Sequence, residues 1–171
     1  MIVNSHNDWD PLEEIIVGRA DHSRIATDIS ARSFSYANFK KEDVEKLEGP
    51  YPQWVIDEAN EDADGLADAL SKMGVKVHRP KVIDWEQKSY DIGQGWQSKG
   101  WYSWCPRDLI LPLGDMLIET PTPVRARYFE TRLYEDIMYE AFEDGALWMS
   151  APKPKLHDDM YTFEDIEDKP T

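Results

Sequence analysis

Apolar positions along the chain gather into short blocks separated by long polar stretches. The first block, LEEIIV at residues 12–17, is closed by Gly18 and predicts a strand. From 52 to 73, Val55, Ala59, Ala63, Leu66, Leu70 and Met73 recur at steps of three or four, which puts them on one face of a helix that Gly74 stops. VKVH (75–78) predicts a second strand, ended by Arg79-Pro80. DLILPL (108–113) and MLIE (116–119), joined by Gly114-Asp115, predict a hairpin whose tight turn begins with glycine at positive φ. Pro112 cannot donate to a ladder, so its strand belongs at an edge or a bulge. Phe129, Leu133, Ile137 and Ala141 step by four and predict a helix from about 124 to 143, after which ALWM (146–149) returns as a strand.

Hairpin, helix and strand from 108 to 149 make a ββαβ unit. Strand 12–17, helix 52–73 and strand 75–78 read as a related unit with a long insertion at about 20–50, so the fold class is α/β with about two such modules. Residues 20–50 and 81–104 show no sustained period and read as a surface excursion and a loop. A single domain is expected over 1–155. Residues 156–171 read as an acidic C-terminal tail, since HDDMYTFEDIEDKPT carries six acids and one lysine.

Composition narrows the partners. The 171 residues suit one compact domain, and 41% hydrophobic content with seven tryptophans argues against disorder despite a net charge of −15. That charge disfavours nucleic acid and anionic membranes, which need a basic surface, and points to a small cation or another protein. No run of about 18 apolar residues occurs and no basic segment precedes an apolar one at the start. With one cysteine and no internal disulfide possible, a cytoplasmic location is expected. The four histidines, His6, His22, His78 and His157, and the cysteine show no metal-ligand spacing, so no metal site is expected.

The chemistry concentrates in WYSWCPRDLILPLGD (101–115). Asp108, at the mouth of an apolar strand, either holds a guanidinium or ammonium group, pairs with Arg107, or caps the turn. Cys105 lacks a histidine within twenty residues to act as base, and among Trp101, Tyr102 and Trp104 it reads as a small buried apolar group. SHNDWDP around His6, Asp8 and Asp10 matches no calcium loop and reads as a turn into the first strand. Arg125 and Arg127 lie at a helix start, where positive charge opposes the helix dipole. Burial against Glu119, Glu130 or acids elsewhere would compensate.

Taken together, NDWDPLEEIIVGRA (7–20), GVKVHRP with IDW (74–80, 83–85), PRDLILPLGDMLIETP (106–121), RARYFE (125–130) and APKP (151–154) closely resemble the amidinotransferase family of glycine and inosamine-phosphate amidinotransferases. The likeness keeps order and spacing from about residue 3 to 161. The resemblance implies a pentein fold, an α/β-propeller of five ββαβ modules, of which about two are present here. It implies transfer of an amidino group from arginine to an amine through a cysteine thiolate, with a histidine as acid and base and no metal or organic cofactor. It assigns guanidinium binding to Asp108 in PRD and gives Cys105 no catalytic role; Arg107, next to Asp108, is the second substrate-binding candidate. The family's nucleophile, histidine and orienting aspartate all lie beyond the matched region. The expectation is therefore an N-terminal half that binds an arginine-like cation and is inactive alone, or complemented by a second chain or by copies of itself. The alternative is a non-catalytic binder, scaffold or regulatory protein derived from such an enzyme.

Overall fold

The computed structural model describes residues 3–87, 89–91 and 93–162. β1 (Glu14–Ile16) is shorter than the apolar run that predicted it. The excursion at 20–50 is folded, contrary to expectation. It holds β2 (Arg24–Ile25), α1 (Ile29–Ser35), α2 (Lys41–Glu45) and β3 (Gly49–Pro50), with β2 and β3 paired antiparallel. Elements of two to seven residues show no readable period, and local chemistry builds them. Asp28 caps α1 by accepting from the Ser30 and Ala31 amides, and Ala31 and Val44 are fully buried.

α3 (Gln53–Lys72) and β4 (Lys76–His78) follow where the pattern places them. β1 and β4 pair in parallel, Ile15 opposite Val77, with α3 as the crossover that a parallel pair requires. This first unit is a two-stranded βαβ unit rather than a second ββαβ. Because the sheet is so narrow, α3 buries Ile56 and Ala63 but leaves Leu66 exposed, as is Met73 just past its end. His78, itself buried, meets Glu14 Oε2 at 2.7 Å across the pair.

The loop expected at 81–104 contains a small hairpin, β5 (Tyr90–Asp91) and β6 (Gln97–Ser98). β7 (Ile110–Leu113), β8 (Met116–Glu119), α4 (Glu135–Glu143) and β9 (Leu147–Ser150) complete the ββαβ unit. The sheet order is β7-β8-β9, antiparallel then parallel, so Pro112 does lie in an edge strand. Gly114 turns the hairpin at φ +61°, in the region that favours glycine.

The predicted helix at 124–143 is corrected. Only α4 is α-helical, and it is preceded by 3-10 turns at Arg125–Arg127 and Glu130–Tyr134. Arg125 and Arg127 are buried instead of lining an exposed helix face, and Arg127 at the end of the first turn pairs with the buried Glu130 that opens the second. Leu133, Ile137 and Ala141 still face the core. That core joins Trp85, Leu109, Leu117, Tyr134 and Met138 and reaches Ile16 of β1, tying the two units together.

The first residues of the expected acidic tail are packed. Leu156 is 1% exposed, and the Tyr161 hydroxyl donates to Pro123 O at 2.7 Å. The remainder of that segment, 163–171, lies outside the described residues. No helix among the described residues is long and apolar enough to cross a membrane, and the small sheets do not close into a barrel.

Candidate functional site

Asp108 ends a 3-10 turn, Pro106–Asp108, and the strand begins two residues later at Ile110, not at Asp108 as the apolar run suggested. Pro106 sets the first φ of the turn, and the Leu109 amide closes it onto Pro106 O at 3.0 Å. Leu109, 1% exposed, anchors the turn in the core. Thr120, just past β8, donates its hydroxyl to Asp108 O at 2.8 Å and its amide to Leu109 O at 2.9 Å. The Asp108 backbone is therefore fixed from both sides while its side chain remains 51% exposed.

The partner of that carboxylate is Arg127, nineteen residues on, and not Arg107. Arg127 Nη1 donates to Asp108 Oδ2 at 2.6 Å. Its Nε and Nη2 donate to Glu130 Oε2 and Oε1 at 2.6 and 3.1 Å, and Nη2 also reaches Cys105 O at 3.3 Å. The face of the guanidinium lies 4.9 Å from the Tyr102 ring centroid. Arg127 is thus gripped by a fully buried carboxylate and offers its remaining edge to an exposed one. Among the described residues nothing donates to Asp108 Oδ1. Arg107 is exposed on the same turn.

Electrostatics follow the burial. Desolvation alone would lower the Arg127 pKa, but the hydrogen bonds and charge of Glu130, with the hydrogen bond to Asp108, outweigh it and raise it further. Burial pushes the Glu130 carboxyl up to about 7 against the pull of Arg127. Cys105, the one cysteine, has its thiol raised by burial, by the Asp108 charge and by Glu130, with Arg127 opposing. A raised thiol is the reverse of what a nucleophile needs.

Of the sequence candidates, Asp108 and Cys105 come together at this cluster. Of the acids expected to compensate the arginines, Glu130 takes Arg127. Asp158 takes Arg125 at 2.6 Å, in a place where Arg125 also donates to Leu156 O and lies over Trp96 and Tyr161. Glu119 instead accepts from Trp148 and Ser150. The reach of Arg127 to Asp108 was missed. The hairpin register carried the signal: pairing Ile110 with Glu119 returns the chain after β8 to the start of β7, next to Asp108. At SHNDWDP, Asn7 Oδ1 accepts from the Trp9 and Asp10 amides, a turn as expected. Among the described residues no group of three or more His, Cys, Asp or Glu side chains is gathered to hold a metal.

Scanned against protein-family models, the sequence matches none. Individual relatives do match. The chain is 42% identical over 161 residues to inosamine-phosphate amidinotransferase 1 of Streptomyces glaucescens, covering 94% of this chain and 46% of that protein. It is 36% identical to the mitochondrial glycine amidinotransferase of Xenopus tropicalis, covering 93% of this chain and 37% of that one. Among solved structures, an inosamine-phosphate amidinotransferase of Streptomyces griseus superposes with a TM-score of 0.84 at 38% identity, over 93% of this chain and 45% of its own. An amidinotransferase of the saxitoxin pathway of Microseira wollei gives 0.79 at 37%. The chain thus spans less than half the length of the relatives it matches. In sequence and in backbone alike it belongs to the amidinotransferase family, as the counterpart of roughly half of one such protein.

Proposed function

We propose that this chain supplies the guanidinium-binding side of an amidinotransferase-type site, with Asp108 as the binding carboxylate and arginine or a similar cation as ligand. The observation that carries this reading is the half-exposed Asp108 carboxylate, fixed in place by Thr120 and Arg127, with one oxygen still open to a donor. Glu130 holds Arg127 too firmly for it to swing away. A ligand guanidinium therefore meets Asp108 through Oδ1, beside Arg127 and not in place of it. Arg107, exposed on the same turn, is the candidate for the carboxylate end of an amino-acid ligand.

Group transfer needs a nucleophile and a proton carrier. Burial and the Asp108 charge make Cys105 a poor thiolate, and the resemblance read in the sequence implies that the family's cysteine and histidine lie beyond the matched region. The chain is then a partial propeller of about two modules that binds but does not transfer alone.

Calorimetry with arginine tests this. Heat is expected for the wild type and its loss for Asp108→Ala with the fold retained, while no ornithine is released from arginine by either. Unchanged heat in Asp108→Ala would overturn the binding role, and ornithine release abolished by Cys105→Ser would overturn the half-site. Absence of heat altogether would favour the scaffold reading, to which the open face of the β7-β8-β9 sheet lends support.

A further inference from the structure

The sheet β7-β8-β9 has two unlike faces. Ile110 and Leu117 point to one side and are buried against the core that α4 completes. On the other side, the register aligns Leu111 with Ile118 and Met149, and Leu113 with Met116 and Leu147, in two rows across three strands. All six are apolar. Leu111, Leu113, Leu147 and Met149 are 45 to 54% exposed, and Met116 and Ile118 are only half-buried. A contiguous apolar face of this kind marks a surface that expects cover.

We infer that this face docks a polypeptide equivalent to the part of an amidinotransferase that this chain does not match. Two observations choose that occupant. The same backbone, at a TM-score of 0.84, makes up only 45% of the Streptomyces griseus enzyme, so in that protein the unit is followed or preceded by more than its own length of further chain. The alternative of a second copy meets a charge objection, since each copy carries −15 and their approach brings like charge together. The identity of the occupant rests on the amidinotransferase reading, whereas the need for cover rests on the sheet alone.

The probe is a polypeptide carrying the unmatched part of the Streptomyces griseus inosamine-phosphate amidinotransferase, co-expressed with this chain and analysed by sedimentation. A one-to-one complex is expected with the wild type. Leu111→Lys and Met149→Lys should each weaken it at least about tenfold while leaving the melting temperature of the free chain within about 2 °C, because both side chains are already half in water. Absence of a complex overturns the inference, as does a complex that both lysine variants leave intact. A wild-type chain that self-associates, and that the same variants return to monomer, overturns it in favour of a second copy. Mass is read without arginine, so an Asp108→Ala variant that still assembles separates a failure of the guanidinium site from a failure of the docking face.

Discussion

Arg127 joins Asp108 by one 2.6 Å hydrogen bond and Glu130 by two, and the two carboxylates it bridges could hardly differ more in setting: Glu130 is 1% exposed, while the Asp108 side chain is 51% exposed. The buried pair holds the arginine in place. The exposed one is held by it.

That asymmetry fixes an order of stability losses. Glu130→Ala leaves a buried guanidinium whose one remaining carboxylate partner faces solvent and should cost about 3–5 kcal/mol. Asp108→Asn removes a half-exposed, solvent-screened pair and should cost under about 1 kcal/mol. Urea unfolding measures both. Replacing the buried pair together, Arg127→Met with Glu130→Leu, should recover much of the loss, since no buried charge is then left uncompensated. Equal losses for Glu130→Ala and Asp108→Asn would show that the hierarchy is wrong.

Cys105 reports the charge of the cluster, since Asp108, Arg127 and Glu130 all act on its thiol. Its thiol is raised by burial first and by Asp108 second, so at pH 8 it should be alkylated more slowly than free cysteine, and the labelling rate should keep climbing beyond pH 9. The sign of the aspartate effect is definite: a negative neighbour disfavours the thiolate, so Asp108→Asn should lower the thiol pKa and speed labelling at fixed pH. A labelling rate that levels off below pH 7 would instead reveal an activated thiolate and restore Cys105 as a nucleophile candidate.

Much of the scaffold around this cluster is legible in the residues. The steps of three and four through Ala59, Ala63, Leu66 and Leu70 locate α3, Gly114 locates the hairpin turn, and Pro112 locates the sheet edge, because each acts through local geometry. What is not legible arises from tertiary demand. The spacing of Phe129, Leu133 and Ile137 reads as one continuous helix, yet Arg125 and Arg127 are buried with acceptors that include the distant Leu156 and Asp108, and the stretch before α4 holds 3-10 turns at Arg125–Arg127 and Glu130–Tyr134. Within the site, PRD marks Asp108. Its real partner, Arg127, emerges only once the hairpin register is known, and the open sheet face only once β9 is placed beside β8.

Arg125 holds the segment after β9 to the body of the protein. Its Nε donates to Leu156 O at 2.9 Å and its Nη2 to Asp158 at 2.6 Å, while Trp96, 5.3 Å below, donates its own Nε1 to Lys155 O. Arg125→Met should cost roughly 2–3 kcal/mol, the scale of lost charge-assisted hydrogen bonds. It should also free the backbone around Lys155, and the rate of tryptic cleavage after Lys155 under native conditions measures that release. Arg125→Lys should rescue little, because a point ammonium cannot reproduce the planar fork that serves two acceptors and stacks on a ring. Cleavage at an unchanged rate in Arg125→Met would show that the segment is held by Leu156 burial alone.

Gly18 connects the first unit to the candidate site. Arg19 and Ser103 form a bridge, the Arg19 amide donating to Ser103 O at 3.1 Å and the Ser103 hydroxyl to Arg19 O at 2.8 Å, and this presses Gly18 against the backbone of residues 103 and 104. A Cβ at position 18 would lie 2.6 Å from Ser103 O and closer still to Trp104 O, both backbone atoms that cannot rotate aside. Gly18→Ala must therefore push apart two segments whose second member runs directly into Cys105 and Asp108. The expected cost is about 1–3 kcal/mol from overpacking, with a weakened arginine heat although no site residue has changed. Gly65→Ala, where an added Cβ meets nothing within 4 Å, is the control and should be neutral or slightly stabilising, as alanine favours a helix interior. If Gly18→Ala lost stability but bound arginine as the wild type does, the close approach would serve packing alone and the path from β1 to Asp108 would carry no weight in recognition.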